Sequence, residues 1–200
     1  MARTFFCDVK NAKGVTFVEL AMVLVIIAIV SALAFIGPGF VSTDRIRGIS
    51  RELLADLQWI RQAAMTQGPD AAAPQLIGFG IRLESPNRYR LFRFNDSNAN
   101  FTYDGAAEEA ALSGENAFRQ RAVPSPLEFQ VKSRGKLCDP QNDVLLFDHL
   151  GIPRQANLGF QQKSIIIHNP NLDNVLKKCI SISFNRIREG IWDGSECKEQ

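Results

Sequence analysis

One carboxylate stands inside a membrane-length apolar run. After Lys13-Gly14 the chain continues Val-Thr-Phe-Val-Glu-Leu, and from Val15 to Ile36 it is apolar or neutral except for Glu19. A buried carboxylate in lipid costs on the order of 2.5–3.5 kcal/mol at a helix centre and less near an end, so Glu19 needs a partner or a role. Other reactive groups are few. Cys7 precedes the run, and Cys138, Cys179 and Cys197 follow it. None shows C-x-x-C or His/Cys ligand spacing, so no zinc site and no cofactor is expected. His149 and His168 are the only histidines and are expected as surface or strand residues. No Ser/His/Asp set or phosphate loop appears, and the chain is not expected to be an enzyme. The pair Arg186 and Arg188, with Lys177 and Lys178 nearby, is the one basic group that suggests a phosphate ligand, although Glu189, Asp193, Glu196 and Glu199 crowd it.

The elements that must carry these groups follow from pattern. At ~1.5 Å per residue, the run 15–36 reaches roughly 33 Å, enough for a bilayer core of ~30 Å. Basic Arg3, Lys10 and Lys13 precede it, which places the amino terminus in the cytoplasm and the remainder in the periplasm. There Cys138, Cys179 and Cys197 allow one disulfide and leave one thiol over. Cys179–Cys197 is the expected pair, with Cys138–Cys179 the alternative. The whole chain carries +2, and the first 14 residues hold three basic residues and one acid, so residues 15–200 are formally neutral. A general basic field for nucleic acid is therefore absent, and any such role rests on a local patch.

Gly37-Pro38-Gly39 predicts a break or kink, and Ser42, Thr43 and Asp44 offer N-cap chemistry. Ile46, Ile49, Leu53, Leu57 and Ile60 then recur at three- and four-residue steps, widened by Leu54 and Ala64. Arg45, Arg47, Arg51, Glu52, Asp56 and Arg61 are expected on the other face of this helix, 44–66, which Gly68-Pro69 ends. Strands are predicted at 75–84 and 88–94, joined by Ser85-Pro86-Asn87, and at 127–132, 143–148, 163–168 and 179–185, with a turn at Asn169-Pro170-Asn171. The second strand alternates with a slip in phase. Residues 95–117 read as a long loop with a helical turn near 106–112.

The junction Gly14, Val15, Glu19 resembles the type IV prepilin motif, although Val stands where the family usually has Phe. The resemblance implies cleavage after Gly14 by a prepilin peptidase, methylation of Val15, and pairing of Glu19 with the amino terminus of a neighbouring subunit during assembly. Three further stretches resemble the GspH/FimT branch of minor pilins and pseudopilins: Arg51-Glu52-Leu53-Leu54-Ala55-Asp56-Leu57, Phe147-Asp148-His149-Leu150-Gly151-Ile152-Pro153, and Cys179 to Arg188 as a final strand and turn.

The implied fold is α+β: a long N-terminal helix, half transmembrane and half amphipathic, packed on an antiparallel β-sheet domain. Its divisions are a cytoplasmic leader at 1–14, a transmembrane helix at 15–36, its periplasmic continuation at 37–68 and a β-rich domain at 69–200. The implied role is a structural or initiating subunit of a type IV pilus or a type II secretion pseudopilus, held in the bacterial inner membrane by one span and then in the fibre. Its partners would be prepilin peptidase, other major and minor pilins or pseudopilins, and the inner membrane. Small Ala28, Ser31, Ala32 and Ala34 suit close helix packing.

A FimT-like variant would also bind DNA for uptake through a Gly-Arg-x-Arg turn. Here it reads Asn185-Arg186-Ile187-Arg188, and Asn tolerates the left-handed backbone such a turn would need. The competing reading is a secreted protein with an ordinary signal peptide: basic Arg3, Lys10 and Lys13, an apolar core at 20–31, and cleavage at Ala32-Leu33-Ala34.

Overall fold

The computed structural model describes residues 16–34, 38–67, 76–112, 119–133, 136–138, 143–160, 162–172 and 176–199. The leader with Cys7, the junction residues Gly14 and Val15, and the Gly68-Pro69 stop lie outside them. The chain divides into two compact units, Met1–Pro38 and Gly39–Gln200.

The first unit contains helix α1, Phe17–Ala34. Thr16 caps it: its Oγ1 accepts the Glu19 amide at 3.3 Å. Its described side chains, through Ser31, are all exposed, from Phe17 at 84% to Val30 at 59%. A helix apolar all round has no solvent face and calls for an apolar surrounding. The helix itself covers 18 residues of the expected 22-residue run, about 27 Å. Among the described residues no helix is long and apolar enough to cross a membrane.

Helix α2 spans Pro38–Thr66, and from Gly39 onward it belongs to the second unit. Pro38 opens it, the helical position where a missing N–H costs least. Ser42, Thr43 and Asp44 therefore lie inside the helix and do not cap it, contrary to the sequence expectation. Ser42 Oγ instead accepts the amide of Asn169 at 3.1 Å in a buried contact. The stripe is as spaced: Ile46, Leu53, Leu57, Ile60 and Ala64 are fully buried.

That stripe is covered by two sheets. In sheet A the order is β3-β2-β1-β7-β8, with β4 also on β2. These strands are β1 Leu76–Ser85, β2 Arg88–Asn95, β3 Glu109–Ala110, β4 Arg119–Ala122, β7 Val144–Asp148 and β8 Pro153–Arg154. In sheet B the order is β12-β11-β10-β9-β5-β6. Its strands are β5 Glu128–Ser133, β6 Lys136–Cys138, β9 Lys163–His168, β10 Lys178–Ile182, β11 Ile187–Trp192 and β12 Cys197–Glu199. Every strand pair is antiparallel. The α+β class thus holds, with two sheets in place of one. Phe79, Ile81, Leu91, Phe129, Val131, Leu145, Ile165, Ile167, Ile180 and Ile182 close one core with α2.

The phase slip in β2 has a physical cause. Tyr89 and Leu91 face that core, while Phe92 and Phe94 face the other side of sheet A and form a second cluster with Val144 and Leu146. The loop after β2 covers this side with Tyr103, and the loop after β8 does so with Ala156 and Leu158. The helical turn expected at 106–112 is a single 3-10 turn, Ala106–Glu108. The predicted strand 179–185 stops at Ile182, and two more strands follow, so Cys179–Arg188 is a hairpin and not the end of the sheet.

Candidate functional site

The two units present separate candidate sites. In α1, Glu19 is exposed in the first turn. Its position three residues after Thr16 is that of the acid in a capping box, and an acid there also suits the positive end of the helix dipole. Glu19 thus has a local role that the sequence reading did not assign. A free amine brought to the same place would meet an unpaired carboxylate at a helix end.

In the second unit, the Arg186/Arg188 segment meets the end of α2. Ile182 pairs with Ile187, and the four residues between them form the turn from β10 to β11. Ser183 N donates to Arg186 O at 2.9 Å. Asn185 is not left-handed: among the described residues, the non-glycine residues at positive φ are Ala99, Phe101 and Leu158. Asn185 acts here through its carbonyl, which accepts Arg61 Nη1 at 3.0 Å. Arg61 Nε also donates to Gly151 O at 2.9 Å.

Arg61 was expected on the solvent face of α2 and is half-buried here, tying the helix to two turns. Its signal in the sequence was weak, because a half-buried arginine on a helix edge looks like any exposed one. Gly151 has φ +70°, and a side chain there would press on Met65 Sδ at 2.9 Å, so this turn sits directly on α2.

Around these contacts lies a groove of about 390 Å³, lined by Gln58, Arg61, Gln62, Met65 and the stretch Asn185–Arg188. Three guanidinium groups border it. Arg186 is in the turn and Arg188 in β11, so the two do not project from one extended strand. Arg188 is ion-paired with Glu199 of β12. Lys177 and Lys178 do not join the groove. Lys178 pairs with Ile191 at the other end of the β10–β11 hairpin, is buried, and holds Glu189 at 3.2 Å. Lys177 precedes β10, and its carbonyl accepts Trp192 N.

Asp56 is also displaced from expectation. It is buried, accepts Tyr89 Oη at 2.8 Å, and lies 3.5 Å from Arg121. Burial, and then the Asp56 charge, push the Tyr89 hydroxyl well above its ordinary range. Of the two histidines, His149 is exposed in the turn after β7. His168 ends β9, where burial lowers its pKa from the ordinary value.

The structure joins Cys179 to Cys197, with Cα atoms 5.8 Å apart, and leaves Cys138 as a thiol. The bridge links β10 to β12 past the intervening β11. It passes at Gly190, where a Cβ would stand 2.3 Å from Lys198 O and 3.0 Å from Cys197 Sγ. A side chain on β11 at this point would occupy the space of the bridge.

Residues 9–35 match the family model described as the prokaryotic N-terminal methylation motif. The match contains Gly14, Val15 and Glu19, and the amino-terminal segment thus carries the methylation motif of type IV prepilins. No curated protein matches the chain. Among solved structures, the minor pseudopilin EpsH from the Type 2 Secretion System of Vibrio cholerae aligns with 76% of this chain and 99% of its own, at 11% identity and a TM-score of 0.48.

Proposed function

We propose that this chain is a minor pilin or pseudopilin, a structural subunit that is processed by prepilin peptidase and assembled through its first helix. The observation that carries the reading is α1: apolar on every side, with a single acid in its first turn, inside the matched methylation motif. Segment 15–36 would anchor the precursor in the inner membrane, with residues flanking α1 completing the span. Cleavage after Gly14 would then free an amino group on Val15, four residues from Glu19. An amine and a carboxylate that enter an apolar bundle together each reduce the other's desolvation cost, whereas one alone does not. The proposed machine is a type IV pilus or a type II secretion pseudopilus, with this subunit helping to start or cap the fibre.

The test is Glu19→Ala. The variant is expected to insert and be cleaved as the natural chain is, while its recovery in sheared fibres or in crosslinks to other subunits falls by roughly tenfold or more, the weight of one buried ion pair. Normal incorporation of Glu19→Ala would reject the pairing. A product beginning at Phe35 would instead establish the secretory-signal reading.

A second activity, DNA binding, has one observation in its favour: Arg61, Arg186 and Arg188 border the same groove. Two to four phosphate contacts would give weak binding without sequence preference, because each neutralised phosphate adds only ~0.9 to the salt slope on duplex DNA. In a gel shift at low salt the natural chain is expected to retard DNA, and Arg186→Ala/Arg188→Ala to lose most of that retardation. An equal shift by both chains, or none by either, removes DNA from the reading.

A further inference from the structure

The loop after β2 carries oxygen-bearing side chains at alternate positions: Asp96, Asn98, Asn100, Thr102 and Asp104, followed by Glu108. Calcium loops of the EF-hand type space their ligands in this way, at positions 1, 3, 5, 7 and 9, with a glutamate closing the site near position 12. Here the glutamate falls at position 13.

The backbone follows the same path. Asp96 is buried, and its carboxylate accepts Asn100 N at 3.2 Å and Phe101 N at 2.8 Å. Asn98 Oδ1 accepts Asn100 N at 3.1 Å, and Asn100 Oδ1 accepts Thr102 N at 2.7 Å. Phe101, the sixth residue, has φ +57°, the left-handed turn for which calcium loops use glycine. The loop is thereby folded into successive side-chain-capped turns. The amide nitrogens of Asn98 and Asn100 both reach Asp104 Oδ2, at 2.8 and 2.7 Å. Each amide oxygen holds one backbone N–H and keeps a second lone pair.

An independent observation points to a ligand. Glu108 is 3% exposed; one of its oxygens accepts Asp104 N at 2.7 Å, which holds the carboxylate against this loop. Its other oxygen, Oε1, is buried with no hydrogen-bond partner. Among the described residues no Lys, Arg or His forms an ion pair with Asp96, Asp104 or Glu108, although sheet A pairs its other buried acid, Glu109, with Arg82 and Arg90. Three carboxylates on one loop without a cation are mutually destabilising, and a buried carboxylate oxygen without a partner is costly.

We propose that the loop Asp96–Glu108 binds one calcium ion. No three His, Cys, Asp or Glu side chains among the described residues gather closely enough to hold a metal by themselves. The site needs fewer acids than that, because calcium accepts amide and carbonyl oxygens within its six to eight ligands. Asp104 and Glu108 supply charge, Asn98 and Asn100 supply amide oxygens, Thr102 supplies its carbonyl, and Asp96 holds the loop's backbone through Asn100 N and Phe101 N. The ion would fasten the segment that covers Phe92 and Phe94 on the outer side of sheet A.

The test uses the full chain in detergent, freed of metal by a chelator and titrated with calcium or magnesium. The natural chain is expected to bind one calcium, and its melting temperature to rise by roughly 5–10 °C at about a hundred times the dissociation constant. Magnesium at the same concentration should give less than half that rise, since it resists dehydration and a flexible loop. Asp104→Asn, at an exposed position, should weaken calcium binding by roughly tenfold or more without lowering the metal-free melting temperature. Glu108→Gln is expected to do the same. The proposal is overturned if the natural chain shows neither binding nor a melting shift at about 10 mM calcium, above the weakest extracellular sites. An equal response to magnesium, or an undiminished response in Asp104→Asn, also overturns it.

Discussion

A chain carrying Gly14→Trp is expected to accumulate as an uncleaved precursor in the membrane. The proposed peptidase must bring the carbonyl of residue 14 to its catalytic groups at the membrane surface, where lysine precedes the glycine and the apolar run follows it. A bulky side chain beside the scissile bond would displace that carbonyl by more than an ångström, and a misplacement of that size costs ~10²-fold in rate. Cleavage should thus fall below detection on a cellular timescale. Gly14→Ala, which adds one carbon, should retain a measurable fraction. Intact-mass measurement separates the outcomes, because the precursor keeps its 14-residue leader and lacks the added methyl group. If Gly14→Trp is processed normally, the glycine is not the recognised residue and the prepilin reading of the junction falls with it.

The second large effect lies in the fold. Gly78→Ala should destabilise the β-domain by about 3–5 kcal/mol, near the upper end for a single substitution. Gly78 lies on β1 opposite Asp148 of β7, and a Cβ there would stand 2.1 Å from the carbonyl oxygen of Phe147. The obstacle is backbone, so no rotamer change relieves it. The central strands of sheet A must part, and hydrogen bonds between them must lengthen or break. A drop of roughly 10 °C or more in melting temperature is expected. Gly48→Ala is the matched comparison. Gly48 is exposed in α2 with nothing within 4 Å of the added carbon, so alanine should stabilise by up to about 1 kcal/mol. If the two substitutions melted alike, the β1–β7 contact would not be as close as described.

What was legible in the sequence is what a strong local pattern records. The stripe Ile46, Leu53, Leu57, Ile60 fixed α2, and Ser85-Pro86-Asn87 between two apolar runs fixed the β1–β2 hairpin. The strands that escaped are short, polar or both. Arg119–Ala122 carries two arginines and a glutamine, and Cys197–Glu199 is three residues long, so neither shows an alternation. Their pairing comes from neighbours distant in sequence. The same is true of charge. Asp56 and Lys178 look solvated by type, and each is buried only because Tyr89 and Arg121, or Glu189, arrive from another element. Arg61 was placed on the wrong side because the carbonyls that hold it, Gly151 and Asn185, are 90 and 124 residues away. The calcium-like spacing at 96–108 lay open in the sequence, hidden by the reading of that stretch as a long loop with a helical turn.

The bridge from Cys179 to Cys197 has a consequence for how such chains could be stored at high density. β12 is an outer strand of sheet B, and an outer strand presents unpaired amides and carbonyls on which another copy could template itself. Peeling β12 away would expose β11 in the same manner and extend the risk inward. A covalent tie that reaches past β11 to β10 prevents that peeling, and the charges of Lys198 and Glu199 discourage a new strand from adding outside it. Subunits crowded side by side through their helices would thus be kept from fusing through their sheets.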